Sequence, residues 1–225
     1  MKSNFDKSKF KELKNITPTL SHLKNKPPRM TREFTKEIET FCPTNLQDWR
    51  QWLQENHRSK QSIWLVYYKK KSGTPTITWS EAVDQALCFG WIDSTAKPID
   101  DETYMQFFCK RKPNSVWSKI NKEKVVRLIE AELMTQAGFD SIETAKQNGS
   151  WSILDEVEEL TIPQDLADEL KMKPGAEEFF LNLSKSVRKS ILQWLVLAKR
   201  PETRQNRITE IAELAAQKLK PKQFR

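Results

Sequence analysis

From Lys36 onward the chain alternates between short β-type runs and helical periods, and each change of period marks an element. Lys36–Phe41, closed by Pro43, predicts a short strand. Thr44 and Gln47 have the spacing of a capping box, in which each side chain takes a backbone N–H that the first helical turn leaves free. A helix is therefore expected through Trp49, Trp52 and Leu53 to about Asn56. Ser62–Tyr68 (SIWLVYY) is rich in β-branched and aromatic residues and predicts a buried strand. Lys69–Pro75, with Gly73, is a polar turn. Thr78 and Glu81 make a second capping box, opening a helix whose apolar face is Val83, Ala86 and Leu87, with Gly90 placed to end it. Trp91–Ile99 and Thr103–Lys110 then predict an antiparallel hairpin around Asp100, Asp101 and Glu102.

After Val116 the period is helical throughout. Val125, Leu128, Ile129 and Leu133 line one face of a helix begun at Ser118, and Thr135 opens another through Phe139, Ile142 and Ala145 to Gly149. Beyond an acidic connector, helices are expected near Pro163–Lys171, Gly175–Asn182 and Ser184–Ala198, and a last one from Pro201 to about Lys218. The implied fold class is α+β: a small antiparallel sheet with packed helices, followed by an all-helical C-terminal half. The expected division is an α+β domain over 36–150 and a helical module over 151–220. Residues 1–32, Lys-rich and carrying Pro18, Pro27 and Pro28, are expected to form a basic, disordered tail.

Composition changes this picture in three ways. Apolar residues make up only 37% of the 225, yet eight Trp and eleven Phe are among them, so a core is built from few, large side chains. Cys42, Cys88 and Cys109 are odd in number and far apart, which argues against disulfides or zinc and for buried, reduced thiols. The N-terminal stretch lacks the apolar run of a secretory signal and no segment is apolar enough to span a bilayer, so a cytoplasmic protein without membrane insertion is expected. The net charge of +8 is spread over several basic blocks, with an acidic stretch at Asp155–Glu178 between them. It suits an anionic ligand or nucleic acid as partner without demanding either.

The strings ALCFGWIDSTAK (86–97), VWSKINKEKVVRLIEAELMTQAGFDSIETAKQNGSW (116–151) and LAKRPETRQNRITEIAELAAQ (197–217) resemble, in order and spacing, the YdeI/OmpD-associated (bacteriocin-protection) family. One departure is Ser94, where that family tends to carry Gly. The resemblance implies a role in protection against antimicrobial peptides, and through the family name an association with a porin. It names no chemistry.

The chain's own residues offer little catalytic apparatus. His22 and His57 are its two histidines, phosphate-loop and dinucleotide glycine patterns are missing, and no metal or cofactor is expected. Asp100, Asp101 and Glu102 read as turn formers rather than metal ligands. Three groups remain as binding candidates. Trp91, Asp93 and Lys97 could wall a ligand, or Trp91 could be core with Asp93 ordering the strand. Arg111 with Trp117, Ser118 and Asn121 stands at a helix N-terminus, which suits a phosphate or carboxylate, although Trp117 could merely fasten the helix to the sheet. Lys199, Arg200, Arg204 and Arg207 form a basic corner that either locks two helices or meets a nucleic-acid backbone. The expected function is a non-enzymatic binding or adaptor protein; a nucleic-acid binder, or an enzyme with a pocket between the two halves, is the alternative.

Overall fold

Residues 39–225 are described by a computed structural model. The expected tail at 1–32, His22 and the start of the first expected strand lie outside these residues. The chain folds in the order β1 (Thr40–Phe41), α1 (Leu46–Asn56), β2 (Ser62–Tyr68), α2 (Trp79–Cys88), β3 (Trp91–Pro98) and β4 (Thr103–Lys110). Helices follow: α3 (Lys119–Glu130), α4 (Gln136–Gln147), α5 (Asp155–Glu158), α6 (Gln164–Lys171), α7 (Ala176–Asn182), α8 (Lys185–Val196) and α9 (Pro201–Ala216). The sheet has the order β1-β2-β4-β3. The fold class is α+β, as the periods imply, but the sheet is mixed: β2, β4 and β3 pair antiparallel, while β1 pairs parallel with β2. A two-residue strand reached through the 20-odd residues of α1 and its flanking turns has no room for a tight hairpin, and the crossover leaves it parallel.

Local chemistry explains the ends of these elements. Thr78 and Glu81 form the reciprocal capping box at the start of α2. The cap of α1 sits one residue later than the sequence suggests: Asp48 N donates to Asn45 Oδ1 at 3.0 Å, and Thr44 N donates to the Asp48 carboxylate at 3.0 Å. Asp48, one turn in, thus takes the role expected of Gln47. The acidic connector contains a helix of its own, α5, which the absence of any apolar period conceals.

Alternation along β2 buries Ile63, Leu65 and Tyr67 beneath α1 and α2 and leaves Trp64 and Val66 half-buried on the other face. Around the first face Trp49, Trp52, Phe108 and Trp91 form a chain of aromatic rings with centroids 5.3–5.7 Å apart. A second cluster, with Leu166, Leu170, Phe180, Ile191, Leu195 and Ile211, holds the C-terminal helices together. Burial of such side chains, at roughly 1.5–3 kcal/mol each, is the main force behind both clusters.

Two glycines let the first cluster close. Gly90, at φ +70°, turns the chain from α2 into β3, and a Cβ there would lie 2.8 Å from the Ala137 carbonyl oxygen. A Cβ on Gly138 would lie 2.5 Å from that of Cys88. Helix α4 therefore starts directly against the end of α2, where Thr135 donates both its N–H (3.1 Å) and its hydroxyl (2.7 Å) to the Cys88 carbonyl. Among the described residues no helix is long and apolar enough to cross a membrane. Cys88 is buried as expected, but Cys42 is exposed and Cys109 half-buried; Cys42 precedes Pro43 beyond the end of β1, where no helix covers it.

Candidate functional site

On the sheet face opposite α1 and α2, a groove of about 860 Å³ lies between the two core clusters. Pairing of Ile92 with Cys109 puts both on this face, out of step with the buried Trp91 and Phe108. Phe107 joins them as floor, and Val116, Leu154 and Leu197 add apolar walls. Lys189 and Gln193, one turn apart on α8, close the far side.

Arg111 stands immediately after β4, its N–H donated to the Gly90 carbonyl at 2.9 Å. Its guanidinium carbon lies 3.7 Å from the centre of the Trp117 ring, and Nη2 donates to the Val116 carbonyl at 2.5 Å. Nε and Nη1 are shut off from solvent and have no partner among the described residues. Burial pulls the Arg111 pKa down to about 10, a shift resisted by Asp93 and by the Cys109 thiol nearby. Burial likewise raises the pKa of Cys109, so the thiol in the groove is held neutral. Trp117 is 1% exposed, its ring 5.0 Å from that of Trp151 and its indole N–H also without a partner.

The remaining charges around the groove are mostly spoken for. Lys110 donates to the Arg58 carbonyl at 2.7 Å, and Lys189 pairs with Glu158 at 2.5 Å. Asp93 accepts from Trp79 Nε1 at 2.9 Å and from Gln106 Nε2 at 3.0 Å. Lys112 and Lys199 are exposed. The lining holds five cationic side chains and two acidic ones, a positive excess. At one end, Ser118 caps α3 by accepting from Asn121 N at 3.3 Å.

Of the residues singled out in the sequence, Asp93, Arg111, Ser118, Asn121 and Lys199 border this one groove. Trp91 and Lys97 do not. Trp91 is fully buried against Trp52 and donates its indole N–H to the His57 carbonyl at 3.3 Å. Lys97 lies over the Trp64 ring at 4.9 Å. The wall imagined from Trp91, Asp93 and Lys97 does not form, because the register slips between Asp93 and Ala96 and carries Lys97 to the other face. Ser94 makes no turn there; its carbonyl accepts from Gln106 Nε2 at 3.0 Å within the bulge. Lys189, Gln193 and Leu197 carried no local signal, since only tertiary packing brings α8 to the sheet. Among the described residues no group of three His, Cys, Asp or Glu could hold a metal.

Residues 159–218 match the model of the family described as Bacteriocin-protection, YdeI or OmpD-Associated. Over these residues the chain is similar to the YdeI/OmpD-associated family. Residues 41–141, which span the sheet and α1–α3, match a domain of unknown function (DUF8412). No curated protein and no solved structure matches the chain.

Within the matched residues 159–218, the basic corner is largely engaged. Arg204 holds Asp165 with two parallel bonds, Nε to Oδ2 at 2.7 Å and Nη2 to Oδ1 at 2.9 Å, tying α9 to α6. Arg207 donates to the Trp194 carbonyl and lies 4.7 Å from the centre of its ring, tying α9 to α8. Arg200 is exposed at the N-terminus of α9, and Lys199 faces the groove. The module thus supplies the groove's α8 wall, while the sheet supplies its floor and Arg111.

Proposed function

We propose that the chain is a non-enzymatic binding protein that holds a negatively charged ligand in the groove between sheet and C-terminal helices. The observation that carries this reading is the positive excess of the groove's lining, in which Arg111 stands half-buried and without an ion pair among the described residues. A groove of this size lies within the usual range for small-ligand sites.

A catalytic role has less support. Among the described residues no histidine borders the groove and its one thiol is neutral, so no activated nucleophile stands beside a base there. Nucleic-acid binding by the basic corner has less support too, since Arg204 is already paired with Asp165 and Arg207 already donates to the Trp194 carbonyl. The description of the family that residues 159–218 match mentions bacteriocin protection, and on this reading the setting is protection against antimicrobial peptides, a form of stress response. We take the groove to serve that setting from the cytoplasm, as an adaptor or ligand-sensing component, with 36–150 and 151–220 as the two domains that enclose it; porin association rests on the family name alone.

The test is thermal denaturation of the full chain with a panel of nucleotides, organic acids and inorganic anions, since a ligand that favours the native state raises its melting temperature. Wild type is expected to respond to at least one anion, and Arg111→Met and Lys199→Met to respond at least tenfold more weakly. A panel without any response, or responses that the two variants share with wild type, would overturn the reading.

A further inference from the structure

The lining of the same groove narrows the ligand class, an inference that rests on the anion-binding reading above. Five apolar side chains, Ile92, Phe107, Val116, Leu154 and Leu197, open onto the groove from the sheet, the loop before α3 and the C-terminal helices. A wholly hydrophilic anion would leave this surface in contact with water, at about 25 cal/mol for each Å² not covered. A neutral apolar molecule would leave Arg111 as it stands. The charges, in turn, set the number of negative groups. Lys189 already faces Glu158, Lys110 already faces a carbonyl, and Lys112 and Lys199 are solvated. Arg111, half-buried, forms no ion pair among the described residues and feels Asp93 only without contact, so one further negative charge would compensate it. A carboxylate supplies that charge at the end of a chain whose apolar part the walls can cover.

We propose that the groove binds a single-chain amphipathic carboxylic acid as a free monomer, its carboxylate directed to the Arg111 side and its chain laid along Ile92, Phe107 and Leu197. Cys109 lies on the floor that the chain covers, and exposed Cys42 lies outside the groove, so the two thiols report occupancy within one molecule.

The experiment titrates the full-length protein with butanoate, octanoate and dodecanoate below their aggregation limits, with dodecanol and inorganic phosphate as comparison ligands. Calorimetry gives affinity, and alkylation of Cys109 against Cys42, read by peptide mass, gives location. Expected is an affinity that rises about fourfold per methylene until the groove is filled, at least tenfold weaker binding of dodecanol, and slowed alkylation at Cys109 alone. Arg111→Met is expected to bind dodecanoate at least tenfold more weakly; Lys199→Glu, exposed and without a role in packing, gives the same direction if Arg111→Met does not fold. Phosphate binding as tightly as dodecanoate would overturn the amphipathic class and leave the anion reading standing. Dodecanol binding as tightly as the acid would overturn both, and no binding by any of the five would overturn the amphipathic-acid proposal. Sedimentation with phosphatidylglycerol vesicles, in the absence of monomer binding, would overturn the free-monomer proposal.

Discussion

A methyl group on Gly138 would stand 2.5 Å from the carbonyl oxygen of Cys88. The obstacle is backbone, and it is the same carbonyl that Thr135 caps, so it cannot swing aside without losing two hydrogen bonds. Gly138→Ala is expected to destabilise the fold by about 2–4 kcal/mol, the range of severe steric substitutions. Gly149 offers the control: at φ +78° it has open space where a Cβ would go, so Gly149→Ala costs only the strain of a left-handed residue, about 1–2 kcal/mol. Urea denaturation of the two variants checks the order.

Asp84 accepts from two cations, Lys124 and Arg127, and both Asp84 and Lys124 are largely buried. Asp84→Ala leaves Lys124 with only Ser80 for a partner. A loss of about 2–4 kcal/mol is expected, as for a buried pair deprived of one member. Replacing Lys124 by Met in the same chain is expected to recover more than half of it. A double-mutant cycle by chemical denaturation measures the coupling.

Hydrogen bonds from Arg204 hold the Asp165 pKa below its ordinary value. A carboxylate with a depressed folded pKa adds stability that is complete above the unfolded value of 3.8 and is lost as pH falls through the folded one. Because Asp165 is partly exposed, solvent screening keeps the contribution to about 1 kcal/mol or less. Asp165→Asn is therefore expected to flatten the stability profile below about pH 4, with the α6–α9 contact as its origin. Denaturation midpoints from about pH 2.5 to 6 test this.

Arg111→Met removes a desolvated charge together with its contact on Trp117, terms of opposite sign and similar size. The variant is expected to match wild type within about 1 kcal/mol at neutral pH while losing anion affinity. Above about pH 10 the unfolded chain holds the Arg111 proton more tightly than the folded one, so this residue's contribution to stability rises with pH. Any stability advantage of the Met variant is expected to shrink between about pH 8 and about pH 11, as urea midpoints would show.

The sequence disclosed the fold through features of short range. The Thr78–Glu81 box, the Ser118 cap, the SIWLVYY strand and the hairpin about Asp100 each require only neighbours within a few residues. The Asp100 carboxylate, for instance, accepts from Glu102 and Thr103 N–H at 2.8 and 2.7 Å. What escaped depends on distant partners. Helix α5 buries only Val157 of its four residues and is pinned by Lys122 and Lys189 from other helices. The bulge after Asp93 is set by pairing with β4, and no residue type there announces it. For the groove, Arg111 and Trp117 were legible because six positions separate them; Lys189 and Leu197 lie some eighty residues away. Charge counting also overstated the Arg204 corner, since Asp165 and the Trp194 carbonyl were not visible as its partners.

The bond from Arg111 N–H to Gly90 has a kinetic consequence. Gly90 is wedged against the first turn of α4, which is itself fastened to the end of α2, so the backbone of Arg111 is anchored to three elements at once. The guanidinium is held by the Trp117 ring and the Val116 carbonyl. A ligand arriving at this side of the groove meets a cation already in place and has no loop to order, so little conformational entropy is lost on capture. Association then proceeds in one step, at a rate set by diffusion and the attraction of the positive lining, and differences among ligands are expressed in how long each stays.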